Sequence, residues 1–292
     1  MNEKVIKSYK GFDKDMKCRD FQYEVGKEYN MDGEIKCCKQ GFHACKSPLE
    51  VWDYYDMLNS RFAEVEQSGK IDEEEKSTKV CSSHIKIKAE LKLADIINIG
   101  VEWLKDITSP SKVKTDGVLN DNGDRKKQIG SSGDYAQIGS SGDYAQIGSS
   151  GDSAKIGSSG YSAKIGSSGD SAQIGSSGYS AKIGSSGDYA QIGSSGDSAK
   201  IGSSGDYAQI GSSGDYAQID STGEDSVIMC AGGNSKAKAK IGSWITLSEW
   251  KWSDEKERYV PVCVKTEYVD GENIKADTWY QLKNGKFVEV TE

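Results

Sequence analysis

An isoleucine that returns every ninth residue constrains this chain more than any other feature. It stands at Ile129, Ile138, Ile147, Ile156, Ile165, Ile174, Ile183, Ile192, Ile201, Ile210 and Ile219, and again at Ile228, within the consensus I-G-S-S-G-D-Y/S-A-Q/K. A fixed period with one apolar anchor per unit is the signature of a solenoid. Ala136 and Ile138 lie two residues apart, so Y-A-Q-I-G reads as a short strand with both on one face. Ser140, Ser141, Gly142 and Asp143 are turn formers, with glycine expected to take the positive φ. Two glycines per unit, each costing about 1 kcal/mol relative to alanine, exclude a helix. A flexible Gly/Ser linker has no use for periodic isoleucine.

Nine residues cannot close a coil with two faces, so units must pair into an 18-residue β-roll or triple into a 27-residue triangle. At a spacing of 18, Lys164, Lys182 and Lys200 fall in one column and Tyr161 lies beside Tyr179. The same spacing makes an unbroken column of Asp134, Asp152, Asp170, Asp188 and Asp206, whereas a spacing of 27 scatters like residues. Two units per coil are therefore expected, giving five to six coils and a stack roughly 26 Å tall at ~4.8 Å per strand. One buried isoleucine per unit contributes about 1.5–3 kcal/mol, which barely meets the ordering entropy of nine residues. Hydrogen bonds between coils must supply the rest, and both open ends need caps.

The fold class expected is mainly β: a nonapeptide-repeat parallel β-solenoid with an N-terminal α+β domain and a C-terminal β cap. Residues 1–107 form the N-terminal domain, 108–128 a polar linker with Pro110, Gly117 and Gly123, 129–241 the solenoid and 242–292 the cap. Within the first domain, residues 5–12, 61–66 and 83–89 read as strands. Ser47 and Pro48 open a helix through Val51, Trp52, Tyr54, Tyr55 and Met57. Leu93, Ile96, Ile97, Val101, Leu104 and Ile107 hold helical spacing. The acidic run from Asp72 to Glu75 reads as a solvated loop. In the cap, strands at 244–247, 259–264, 279–282 and 287–290 are separated by Asp270-Gly271 and Asn284-Gly285, both read as hairpin turns. A net charge of −8 over 292 residues argues against a dedicated nucleic-acid binder. No long apolar run or leader pattern is present, so neither a membrane span nor a secretion signal is expected. An odd count of seven cysteines suits reduced thiols in a cytoplasm.

Tyr9-Lys10-Gly11-Phe12, Cys18-Arg19-Asp20-Phe21-Gln22-Tyr23-Glu24-Val25-Gly26, Gly41-Phe42-His43-Ala44-Cys45 and Pro48-Leu49-Glu50-Val51-Trp52 together resemble a domain of unknown function from phages and prophages of Gram-positive bacteria. In that family the domain precedes nonapeptide arrays of the A-T-S-G-D-Y-A-x-A kind. The arrays end in segments similar to Gly242-Ser243-Trp244-Ile245 and Asp277-Thr278-Trp279-Tyr280. The resemblance implies a solenoid and a phage setting in the bacterial host cytoplasm, and brings no settled activity. Isoleucine here stands where many relatives carry alanine.

Three chemistries are open to the residues. Cys18, Cys38, His43 and Cys45, with Cys37 in reserve, could hold a structural zinc ion, although the spacing lacks C-x2-C knuckles. Small buried hydrophobes and one bonded histidine explain them equally simply. Tyr9-Lys10-Gly11, Gly41-Phe42-His43 and Glu64-Val65-Glu66 faintly resemble the three blocks of ADP-ribosyltransferases, with Lys10 replacing the usual arginine or histidine. The aspartates invite a calcium β-roll reading, but Asp134 falls one place early for G-G-x-G-x-D-x-U-x. No other cofactor is expected.

The reading that covers most of the chain is a non-enzymatic binding or scaffold protein. Its roll would present a repetitive face to a host or phage protein, with counter-defence by capture of an immune protein or its nucleotide signal as the specific version. The candidate binding residues are Lys164, Lys182 and Lys200 with Tyr161 and Tyr179, which pair cations with planar rings. A DNA-mimic inhibitor and an ADP-ribosyltransferase-like enzyme are the alternatives, and a homo-oligomer stays open.

Overall fold

The computed structural model describes residues 4–74, 77–108, 118–120 and 128–291. The chain divides into two compact units, Met1–Trp103 and Leu104–Glu292.

In the first unit the strands are β1 (Ile6–Phe12), β2 (Lys17–Cys18), β3 (Phe21–Gln22), β4 (Glu28–Asn30), β5 (Phe42–Cys45), β6 (Arg61–Glu73) and β7 (Lys79–Leu91). β1 pairs with both β5 and β6, and β7 pairs with the same two, so four antiparallel strands close a ring with β4 outside β7. Phe12, Phe42, Ala44, Ala63, Val65, Ile85 and Ile87 form its core. Gln67 is buried and ties the strands together. It accepts from the Ser8 hydroxyl at 2.7 Å and donates to the Phe42 carbonyl at 2.7 Å and to Ser82 Oγ at 3.1 Å.

The helix expected after Pro48 is a short 3-10 turn, Leu49–Asp53. The N-cap position falls on Pro48 rather than Ser47, whose backbone N–H donates to Thr78 Oγ1. Helix α1 (Leu93–Thr108) follows the sequence pattern, burying Ile96, Ile97, Val101 and Leu104. Its Asp95 carboxylate accepts from the Lys92 N–H at 2.9 Å, closing the N-terminus. Asp72 and Glu73 lie in β6 rather than in a loop, while Glu75 falls outside the described residues. So do Pro110, Gly117 and Gly123, but 118–120 within the expected linker is already a strand.

The second unit is a β-solenoid of about seven turns. One parallel sheet begins at Val118–Asn120 and continues through Gln137–Ser140, Lys155–Ser158, Gln173–Ser176, Gln191–Ser194, Gln209–Ser212, Val227–Cys230 and Trp244–Ser253. The second runs from Gln128–Ser131 through Gln146–Ser149, Lys164–Ser167, Lys182–Ser185, Lys200–Ser203 and Gln218–Ser221 to Lys236–Lys238. Ile138 pairs with Ile156 and Lys164 with Lys182, so the coil holds two units as expected. It exceeds the expected five to six turns because the pairing reaches back to Val118 and on to Trp244. Every isoleucine and alanine of the repeat points inward; Ile174 is 3% and Ala172 0% exposed.

The turn differs from its reading. The positive φ falls on the seventh residue of the unit, near +57° at Ser153, Ser171, Tyr189 and Tyr207 among others, so the tyrosine is a turn residue and the strand starts at Gln or Lys. The second glycine is needed for a different reason. A Cβ on Gly187 would lie 2.1 Å from the carbonyl oxygen of Gly169 one coil before, so only a hydrogen fits between stacked turns.

The aspartate column is also built in. Asp134 Oδ1 accepts the Asp152 N–H, Asp152 the Asp170 N–H, Asp170 the Asp188 N–H, Asp188 the Asp206 N–H and Asp206 the Glu224 N–H, at 2.7–3.0 Å. On the other edge, where Tyr161 and Tyr179 replace aspartate, their rings stack instead with centroids 5.4 Å apart.

At the C-terminal end, Trp244–Ser253 and Arg258–Tyr268 form a hairpin that extends the first sheet. The chain then crosses through Asp270-Gly271 to the second sheet, where Tyr280–Lys283 and Lys286–Glu289 pair around Asn284-Gly285. Asp270-Gly271 is thus a crossover corner and not a hairpin turn. Asn284 and Gly285, at φ +50° and +68°, make the expected one. Val269, Ile274, Tyr280 and Leu282 join the isoleucine core and close it. No helix among the described residues is long and apolar enough to cross a membrane.

Candidate functional site

The first unit holds a cleft of about 840 Å³, walled by β1 and β5, the turn 18–23, the loop 38–41 and the segment 51–55. Gly11 makes room on one wall: a Cβ there would lie 2.3 Å from the Tyr55 ring, which therefore lies flat on β1. That placement lets the Tyr55 hydroxyl donate to Cys18 Sγ at 2.9 Å.

Lys10, on β1, reaches the floor of the cleft and is 4% exposed. Its ammonium donates to the His43 carbonyl at 2.9 Å and to Cys18 Sγ at 3.5 Å, with the Phe12 and Tyr23 rings 5.6 and 5.4 Å away. Burial pushes its pKa down, because removing a cation from water disfavours the charged form. His43 is likewise held below its usual range, first by burial and then by the Lys10 charge. Its Nε2 accepts the Cys38 N–H at 2.9 Å. Burial pushes the Cys45 thiol up, so it stays protonated.

The four candidate zinc ligands all line this one cleft. They do not form a ligand shell: among the described residues no group of three or more His, Cys, Asp or Glu is placed to hold a metal ion. The physical reason is visible in each partner, since the His43 nitrogen is occupied by a backbone donor and Cys18 by a phenol and an amine. In the aspartate column of the calcium reading, one carboxylate oxygen of each residue from Asp134 to Asp206 accepts a backbone N–H of the next coil.

The transferase blocks are split. Lys10, Gly41, Phe42 and His43 line the cleft, but Glu64 and Glu66 do not. They share a face of β6 opposite to buried Val65 and pair with Lys7 at 2.8 Å and Lys88 at 3.0 Å.

On the solenoid the lysine column is in register, but it is not an open surface. Lys164 is 1% exposed, Lys182 and Lys200 are half-buried, and Gly148, Gly166, Gly184 and Gly202 beside them are buried. The first sheet's outer face is the open one. Glutamine and glycine columns there, with Lys155, Val227 and Met229, line a groove of about 1060 Å³. Identical glycines in the two sheets hid this difference from the sequence.

Residues 6–99 match the family model of a domain of unknown function, DUF7666, which takes in the whole cleft. Neither a curated protein nor a solved structure matches the chain.

Proposed function

We propose that the chain is a non-enzymatic binding protein whose roll docks an elongated protein partner on the glutamine–glycine face of its first sheet. The observation that supports this reading is the open groove along 137–229, repeated coil after coil with a single charged residue, Lys155, among its lining. Gln173, Gln191 and Gln209 are exposed and offer an amide at each coil, and Val227 and Met229, each about half exposed, add an apolar end. Regular spacing lets many weak contacts act together on a rigid partner. The resemblance to phage and prophage arrays suggests a host or phage protein as that partner, and counter-defence by capture of an immune protein is its specific form. DNA mimicry is less favoured, because the array from Ile129 to Ile219 carries eight Asp against four Lys, a mild net −4 for imitating a phosphate backbone.

The test uses Gly175, Gly193 and Gly211. Gly175, Gly193 and Gly211 have no atom within 4 Å of an added Cβ. Changing all three to Arg fills the groove and leaves the core untouched. A partner identified with the wild-type chain by cross-linking and mass spectrometry should be lost by the triple variant at an unchanged melting temperature. Equal cross-linking by the variant refutes the assignment of this face.

A further inference from the structure

The cleft of the first unit contradicts the charge of the whole. The chain carries a net −8, yet Lys10, Arg19, Lys39 and Lys79 line the cleft against one carboxylate, Asp20. Lys10 is the decisive member. It is buried, its acceptors are a neutral carbonyl and a thiol, and among the described residues no carboxylate pairs with it. A buried ammonium without a counter-charge is costly, and proteins keep one where an anion compensates it.

The rest of the lining indicates what kind of anion. Tyr9, Phe21, Tyr23, Phe42, Tyr54 and Tyr55 contribute rings. Phe21 and Tyr54 are 44% and 47% exposed, so each leaves part of a large ring open to a ligand. The Lys79 ammonium sits 4.3 Å from the Tyr54 ring centroid, joining cation and planar surface at the rim. Arg19 and Cys38, both lining residues, hold left-handed backbone at φ +56° and +65°. Neither is a glycine, and such strain gathers at ligand clamps. Cations with exposed rings suit a ligand that joins phosphate to a flat heterocycle, and base–aromatic stacking is worth about 1–3 kcal/mol per base.

We infer that this cleft binds a nucleotide, with a phosphate held between Lys10 on the floor and Arg19 and Lys79 above it, and the base against the exposed Phe21 and Tyr54 rings. The inference stands apart from the reading of the roll, since every residue it uses lies in the first unit.

Isothermal titration calorimetry of the full chain with ADP, cyclic di-AMP, NAD and pyrophosphate tests it. At least one of the three nucleotides should bind saturably, about tenfold or more tighter than pyrophosphate, the difference that one stacked base supplies. Lys10→Met should abolish that binding, and Arg19→Gln with Lys79→Gln should weaken it about tenfold. Arg19 is exposed and Lys79 only partly buried, where it already pairs with Glu74 at 3.6 Å, so the double change decides the matter if Lys10→Met fails to fold. No nucleotide bound at about 1 mM, pyrophosphate bound equally well, or both variants binding like wild type would each overturn the assignment.

Discussion

Replacing Gly187 by alanine adds one methyl group to a surface turn, yet it should be among the most damaging small changes in the array. The new Cβ would stand 2.1 Å from the Gly169 oxygen, and real contacts do not fall below about 3 Å, so the two coils must part by roughly 1 Å. The hydrogen bonds that cross that junction include four on the side of the turn leading into the first sheet: Asp188 N–H to Asp170 Oδ1, Ser171 N–H to the Asp188 carbonyl, Gln191 N–H to the Ala172 carbonyl and Ser195 N–H to the Ser176 carbonyl, at 2.8–2.9 Å. Lengthened by 1 Å, none remains a hydrogen bond, and at about 1 kcal/mol each the loss approaches 3–4 kcal/mol. For a unit of this size that lowers the melting temperature by about 6–15 °C. Gly193 supplies the control, six residues away on the open face with nothing within 4 Å. Its change to alanine should be neutral or stabilise by about 0.4–1 kcal/mol. Thermal unfolding followed by circular dichroism compares the pair directly. Equal melting temperatures for the two variants would refute the stacking argument.

Ser185 points a hydroxyl into the roll with no hydrogen-bond partner among the described residues, so Ser185→Ala should stabilise the array by about 1 kcal/mol in a denaturant titration. Asp270 accepts backbone N–H groups from Glu272, Asn273 and Ile274, which together with Asn273 Nδ2 pull its pKa down to about 2. A depressed carboxylate gives stability that is complete above its unfolded pKa and lost as the pH falls through the folded one. Stability of wild type should therefore drop between about pH 4 and 2 more steeply than that of Asp270→Asn. Iodoacetamide at pH 8 should label exposed Cys38 first and spare buried Cys45, Cys81 and Cys230 until unfolding, as peptide mass spectrometry would show. Burial holds the Cys81 and Cys230 thiols up at about 12, so early labelling of either would contradict their placement.

The isoleucine period and the 18-residue columns made the solenoid legible, because apolar spacing and coil geometry are the same fact. The roles within the unit were less legible. Intrinsic preference puts the positive φ on glycine, but stacking claims Gly187 and its equivalents for close approach and leaves the strained φ to serine and tyrosine. The aspartates invite a calcium reading in the sequence because the match of each acceptor to a donor 18 residues on is a relation that composition does not display. In the first unit, Cys18, Cys38, His43 and Cys45 all line one cleft. Their chemistry was not readable, because the Tyr55 hydroxyl and the Cys38 N–H that occupy Cys18 and His43 depend on how β1, β5 and the 51–55 segment meet. The burial of Lys10 was hidden for the same reason, in a strand whose neighbours at Lys7 and Tyr9 look like an ordinary surface alternation.

The aspartate ladder runs one way, each carboxylate taking the N–H of the coil that follows. A coil therefore asks of its predecessor what its successor asks of it, and one more coil inserted by duplication finds both its needs and its duties already met. Length becomes a quantity that can drift in steps of about 4.8 Å without redesigning any contact. The near-identity of the units is what such a history would leave. The height of the array is then adjustable by copying, with the same capping segment closing the last coil each time.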